Sequence, residues 1–358
     1  MAFLATTAYS EKVLTPQRAA QERYAFDRYS ARAGFAGVVM NLALQTSDGY
    51  LWLATPPGLR RFDGVRFQTF RAGEPAVLLS NSINCLLEDT EAVLWVGTSR
   101  GALRYRKGEF EPVGSSDLDV RALTVDETGA VWIATAAQGL HVWQQGKLSL
   151  FEHDLLPAHA MLRTAFCDRS GRLWVSPQQG SGVLLIEKGA ARTIGADLPE
   201  FAEILAISEQ PAGTLWFGTQ RQGLFRYRDG KLDRFLLKEG SHPAITDVRS
   251  EQKGGLWVSA GSLWHVSDLD RVMATPIQDL PVDSVRSVLE DREGGVWLCA
   301  GASGLMRMRA MHYRSLAISE GLPSNNIKNV AQDGAGNLWL GVQHEGVMQV
   351  APDGALKL

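Results

Sequence analysis

Eight tryptophans recur through this 358-residue chain at nearly even spacing: Trp52, Trp95, Trp132, Trp174, Trp216, Trp257, Trp297 and Trp339. The steps between them are 43, 37, 42, 42, 41, 40 and 42 residues. A repeat of this length restricts the chain to propellers, solenoids or arrays of small supersecondary units.

The residues around each indole choose among these. Glycine lies three positions before it in seven copies, the exception being Ala92, and aspartate six before it at Asp89, Asp126, Asp168, Asp291 and Asp333. Asp followed three residues later by Gly marks a tight turn: the carboxylate caps its own backbone and glycine accepts positive φ. Positions −12 (Met40, Ile83, Val120, Leu162, Ile204, Ile245, Val285, Ile327) and −9 are apolar in every copy. A Gly-Leu pair follows at Gly58, Gly139, Gly223 and Gly304, then a more alternating segment such as Leu224-Phe-Arg-Tyr227, then a weak one such as Leu232-Asp-Arg-Phe235. Each unit reads as four strands in roughly 40 residues, a propeller blade. The apolar inner strands fit sheets sandwiched between neighbours. The turn glycines leave no room for helices.

The expected fold is all-β, a β-propeller of four-stranded antiparallel blades. Units fall at about 36–79, 80–117, 118–157, 158–199, 200–240, 241–280, 281–320 and 321–358. Eight blades are favoured. Seven is the other count, because Leu322-Pro-Ser-Asn-Asn326 reads as the start of a new ring. Residues 24–30, with Tyr24, Phe26 and Tyr29, read as an outer strand lacking its own blade and are assigned to ring closure, which removes exposed sheet edges. Residues 1–23 read as an N-terminal tail, with a short helix one form for 10–23.

Two stretches, Gly49-Tyr-Leu-Trp-Leu-Ala-Thr-Pro-Pro-Gly-Leu-Arg-Arg-Phe-Asp-Gly64 and Gly321-Leu-Pro-Ser-Asn-Asn-Ile-Lys-Asn-Val-Ala-Gln-Asp-Gly-Ala-Gly-Asn-Leu-Trp-Leu-Gly341, resemble the two-component regulator propeller repeat. The resemblance extends over about 36–350. It implies a periplasmic or extracellular sensor of a larger bacterial signalling protein, with carbohydrates or their breakdown products as ligands. It also implies a kinase or diguanylate cyclase output outside this chain, which carries no kinase or cyclase motif.

Lys and Arg total 36 against 39 Asp and Glu, a net charge of −3 with no basic block. Nucleic acid and anionic membrane surfaces are therefore poor partners. No run of 18 apolar residues suggests membrane insertion. Cys85, Cys167 and Cys299 fall on inner strands of different units and read as structural thiols. Met1 to Ser10 resembles the end of a signal peptide, so export is expected.

Function is expected on loops, which vary while the scaffold repeats. The loops joining strands two and three offer Arg100, Gln138, Gln179, Arg221, Gln222, His344 and Glu345. The crossovers between blades offer Asn81, His159, His242 and Asn325. Amides, imidazoles and guanidinium groups suit a small polar molecule or an oligosaccharide. The competing reading is that these polar loops are merely solvated. No His-Glu-x-x-His, nucleophile elbow or phosphate loop occurs, so no metal, cofactor or catalytic residue is assigned. The His153-Asp154…His159 trio is read as incidental. Alternatives to a sensor are a secreted propeller enzyme such as a polysaccharide lyase, and an interaction scaffold, homodimer included.

Overall fold

The structure is a computed structural model. It describes strand residues 9–13 and residues 24–29, 40–73, 78–237, 243–278, 280–282, 284–301, 303–310, 316, 318, 321–352 and 355–357. The chain divides into two compact units. One comprises Met1–Gln21 with Ala25–Arg309, the other Glu22–Tyr24 with Ala310–Leu358.

After β1 (Tyr9–Val13) and β2 (Tyr24–Arg28), the strands come in sets, one set per tryptophan cassette. The first sheet is β3 (Leu42–Gln45), β4 (Leu51–Thr55), β5 (Gly58–Phe62) and β6 (Phe67–Phe70). The second is β7 (Ile83–Glu88), β8 (Leu94–Thr98), β9 (Gly101–Arg106) and β10 (Glu109–Val113). The third is β11 (Val120–Val125), β12 (Val131–Thr135), β13 (Leu140–Gln144) and β14 (Lys147–Phe151). The fourth is β15 (Leu162–Cys167), β16 (Leu173–Pro177), β17 (Val183–Glu187) and β18 (Ala190–Ile194). The fifth is β19 (Ile204–Glu209), β20 (Leu215–Thr219), β21 (Leu224–Arg228) and β22 (Lys231–Leu236), with β1 as a parallel fifth strand on β22. Within the stretch read as a tail, residues 9–13 are therefore strand. The sixth sheet is β23 (Asp247–Ser250), β24 (Leu256–Ala260), β25 (Ser262–Asp268) and β26 (Met273–Pro276).

The seventh set has three strands, β27 (Val285–Glu290), β28 (Val296–Ala300) and β29 (Gly304–Ala310), and β2 is its fourth, beside β29. The Tyr29 amide donates to the Leu305 carbonyl at 3.0 Å, and the Tyr29 ring lies 5.2 Å from that of Trp297. In the larger unit the innermost strands touch in an unbroken cycle, β3, β7, β11, β15, β19, β23, β27 and back to β3. The eighth set, β30 (Ile327–Gln332), β31 (Leu338–Val342), β32 (Gly346–Val350) and β33 (Leu356–Lys357), lies in the smaller unit, with its own core of Leu322, Leu340, Val342, Met348 and Val350. Among the described residues eight sheets thus match the eight cassettes, each of four strands with β1 added to the fifth, and seven of them lie in the larger unit.

The cores of the larger unit lie between sheets. Trp52 and Ala54 of the first sheet pack with Val96 and Leu103 of the second; Met40, Leu53 and Phe62 pack with Trp297 and Leu305 of the seventh. Both faces of an inner strand are therefore covered, which is why these strands read as continuous apolar runs. Cys299 is buried, and desolvation raises its thiol pKa; Cys167 is pushed up to about 12, first by the same cause.

The repeat aspartate does more than cap its turn. Asp168 Oδ1 accepts the Ser170 and Arg172 amides at 3.0 Å, while Oδ2 accepts the Trp174 indole N–H at 2.8 Å. The same indole bond joins Asp89 to Trp95, Asp126 to Trp132, Asp291 to Trp297 and Asp333 to Trp339, at 2.7 to 2.9 Å. Where Asp is missing, the Thr46 hydroxyl serves Trp52 and the Gln210 carbonyl serves Trp216. In the sixth copy Glu251 turns to His265 at 2.9 Å, leaving the buried Trp257 Nε1 without a partner among the described residues.

Candidate ligand-binding face

Buried threonines at the end of the second strand fix the loops to the third. Thr98 Oγ1 donates to the Gly101 carbonyl at 2.9 Å and accepts the Arg100 amide at 3.0 Å. Thr135 does the same between Gly139 and Gln138, and Thr219 between Gly223 and Gln222. These loops are stitched to the crossovers by backbone bonds: Ser99 N–H to Ser82, Gly139 to Ala160, Gln178 to Met161 and Gln220 to Glu203 carbonyls, at 2.8 to 3.1 Å. The two loop sets therefore share one face of the larger unit.

The side chains singled out from sequence divide into tethered and open groups. Asn81 accepts the Ala72 amide on Oδ1 at 2.8 Å, and Gln222 accepts Arg234 Nη2 on Oε1 at 2.8 Å, so both amide oxygens hold loops together. Gln138 donates to the Asp117 carbonyl at 3.1 Å, while its buried Oε1 has no partner among the described residues. Arg100, His159, Gln179 and Arg221 are exposed. His153 Nδ1 accepts the Leu155 amide at 3.1 Å, a turn role for that histidine. His242 lies outside the described residues. Asn325, His344 and Glu345 belong to the smaller unit: Asn325 Oδ1 accepts the Ile318 amide at 3.0 Å, and His344 Nε2 lies 3.1 Å from Gln343 Nε2.

A second set of residues escaped the loop-centred reading. It is the column eleven positions before each tryptophan: Asn41, Asn84, Arg121, Arg163, Leu205, Thr246 and Arg286 in the larger unit. The inner-strand register shifts at this residue in the second, third, fourth, fifth and seventh sheets. A bulge frees its residue from the ladder and re-aims the side chain. Arg121, Arg163, Thr246 and Arg286 are exposed between buried or half-buried neighbours. Bonds along this column cross from blade to blade. Asn84 Nδ2 donates to Asp119 Oδ1 at 3.2 Å and to the Val120 carbonyl at 2.8 Å. Thr246 Oγ1 donates to the Arg286 carbonyl at 2.8 Å, and Arg286 Nη1 to Asn41 Oδ1 at 3.4 Å. The column is therefore a collar around the cycle of inner strands. Its sequence signal was a polar or charged residue between the apolar −12 and −9 positions in every copy of the larger unit but that of Leu205.

The same face holds a cleft of about 430 Å³ lined by Gly261, Ser262, Pro276, Ile277, Gln278, Leu280 and Val282. Its origin is local: Gly261 alone joins β24 to β25, where Thr135 and Leu140 enclose a four-residue loop in the third sheet. The shortened turn leaves space beside the crossover into the seventh sheet. Among the described residues no group of three or more His, Cys, Asp or Glu is placed to hold a metal ion.

Residues 321–344 match the family described as "Two component regulator propeller". No curated protein matches the sequence. Among solved structures, the extracellular domain of the two-component system BT3049 from B. thetaiotaomicron superposes with a TM-score of 0.71 at 19% identity, over 93% of this chain and 48% of that one. That of BT4673 from the same organism gives 0.66 at 21%, over 93% and 46%. The chain thus spans about half the length of these structures. Virginiamycin B lyase from Staphylococcus aureus, solved with quinupristin, gives 0.65 at 12%, over 81% of this chain and all of the other. At these identities the likeness shows the shared propeller fold.

Proposed function

We propose that this chain is the ligand-binding input region of an exported bacterial signalling protein, taking a small polar molecule or an oligosaccharide on its loop face, with the output domain outside the chain. The observation that carries the reading is the division of labour in each blade. Indole, aspartate and threonine repeat and are spent on structure, while the residues on the stitched loops differ from blade to blade. A rigid scaffold presenting non-repeating polar loops is the arrangement expected of a recognition surface. The matched segment at 321–344 and the fold shared with extracellular domains of two-component systems support the signalling context and the periplasmic or extracellular location.

The test is a thermal-shift screen of the whole chain against neutral and acidic oligosaccharides, with recovery of the bound fragment. A ligand that stabilises the chain and returns chemically intact supports the sensor reading. A fragment returned cleaved or rearranged overturns it in favour of an enzyme.

A further inference from the structure

We infer that the collar around the inner strands is a binding site for a small multivalent oxyanion, held by Arg163 and Arg286, with Arg121 on the sheet next to that of Arg163. This deepens the proposed function and rests on the loop face being the binding face.

Three observations carry it. The first is composition: three of the seven collar positions are arginine, and none is acidic. The second is geometry. The bulges at Arg121, Arg163 and Arg286 take these residues out of the strand ladder, and all three are exposed although the flanking residues are buried or half-buried. The third is pairing. Arg121 Nη2 donates to Asp119 Oδ2 at 2.7 Å, so its charge is largely met. Arg163 has no hydrogen-bond or ion-pair partner among the described residues, and Arg286 has only the long contact to the neutral Asn41.

Guanidinium groups present planar, bidentate donors suited to carboxylate, phosphate or sulfate oxygens. Arg163 on β15 and Arg286 on β27 occupy equivalent points of the cycle of inner strands, so an anion met from both blades carries two or more charges. A singly charged ligand satisfies one arginine only, hence the multivalent class. Asp119 competes for Arg121, and the exposed Glu203 lies two residues before the collar position Leu205. These acids set a threshold that favours higher charge over chloride.

The experiment measures melting temperature and calorimetric binding of the whole chain with citrate and with inorganic phosphate, against sodium chloride at equal ionic strength. At a hundredfold excess over Kd the linkage gives a rise of roughly 5 °C. Arg163→Gln and Arg286→Gln each weaken binding about tenfold or more, the scale of one charge-assisted contact. Asp119→Asn tightens it, a direction that mere loss of structure does not produce. Arg192→Gln, on the exposed outer strand β18, leaves it unchanged. Whichever of citrate and phosphate binds tighter identifies the oxyanion. Two results overturn the inference: no effect of either anion beyond chloride, or equal weakening by Arg192→Gln, which would mean diffuse charge only. If a neutral sugar stabilises wild type and both arginine variants equally, the anion site is refuted while the sensor reading stands.

Discussion

Ala92 is the one repeat position where glycine is replaced, and the backbone does not change to suit it. Its φ is +59°, the left-handed region that its counterparts occupy as glycine, for example Gly213 at +81°. An L-residue there costs about 1–2 kcal/mol, partly offset by the lower entropy of the unfolded alanine chain. Ala92→Gly is therefore expected to stabilise the protein by about 0.5–1 kcal/mol, and Gly213→Ala to destabilise it by a similar amount, both read from urea unfolding. No atom lies within 4 Å of the Cβ that Gly213→Ala would introduce, so backbone strain is the whole effect there. The aspartate–indole bond gives a second expectation. Hydrogen bonds from Asn337 and Trp339 hold the Asp333 carboxyl down at about 2, against about 3.9 in an unfolded chain. Whatever Asp333 contributes is present above the unfolded value and lost as pH falls through the folded one. The Trp339 indole N–H resonance should titrate with a midpoint near pH 2; a midpoint near 4 would show that the bond does not hold in solution. Such residues were legible because they repeat: the Asp, Gly and Trp columns declared the turn. What the columns hid was the use of the second carboxylate oxygen, since a turn cap accounts for the aspartate equally well.

At the scale of elements, β2 was legible for the opposite reason. Tyr24 to Tyr29 has a strand pattern and no cassette of its own, so it had to complete another sheet. Its attachment is specific: Tyr29 packs on Trp297 and edge-on to Phe62 at 5.6 Å, Asp27 pairs with Arg309, and Arg28 donates to the Pro281 carbonyl at 2.6 Å. Tyr29→Ala removes a half-buried ring at the joint between first and seventh sheets and should cost about 2 kcal/mol. The distinguishing readout is location: hydrogen exchange should quicken in β29 and β3 while β11 to β18 stay protected. The candidate site was only partly legible. Loop residues could be named, but sequence could not tell that Asn81 and Gln222 spend their amide oxygens on Ala72 and Arg234. Nor could it foresee the collar, because a bulge is a register event that strand periodicity averages away. The cleft beside Gly261 likewise depends on a loop being short, which reads in sequence only as a lost Gly-Leu.

At the scale of the molecule, the cassette is not the unit of stability. In the larger unit Trp95 and Val288 are each 1% exposed; in the smaller one Trp339 is 40% exposed and Val330 62%. The same residues at the same repeat positions are buried in the unit of seven sheets and exposed in the unit of one. A chain ending at Arg309 is expected to keep a single cooperative transition within about 2 °C of the full chain, since a change of 1 kcal/mol moves a unit of this size by about 2–4 °C. Residues 310–358 alone are expected to lack a cooperative melt by calorimetry, because one four-stranded sheet buries too little apolar surface.

The pairing of Asp27 with Arg309 spans 282 residues, and it orders events on the ribosome. The strand that finishes the seventh sheet is translated well before its partner strand β29, which emerges roughly 15–60 s later at ordinary elongation rates. Through that interval β2 travels as an unmatched edge tethered to a growing half-circle. The nascent protein therefore stays open, and vulnerable to mispairing, until almost the whole propeller has left the tunnel.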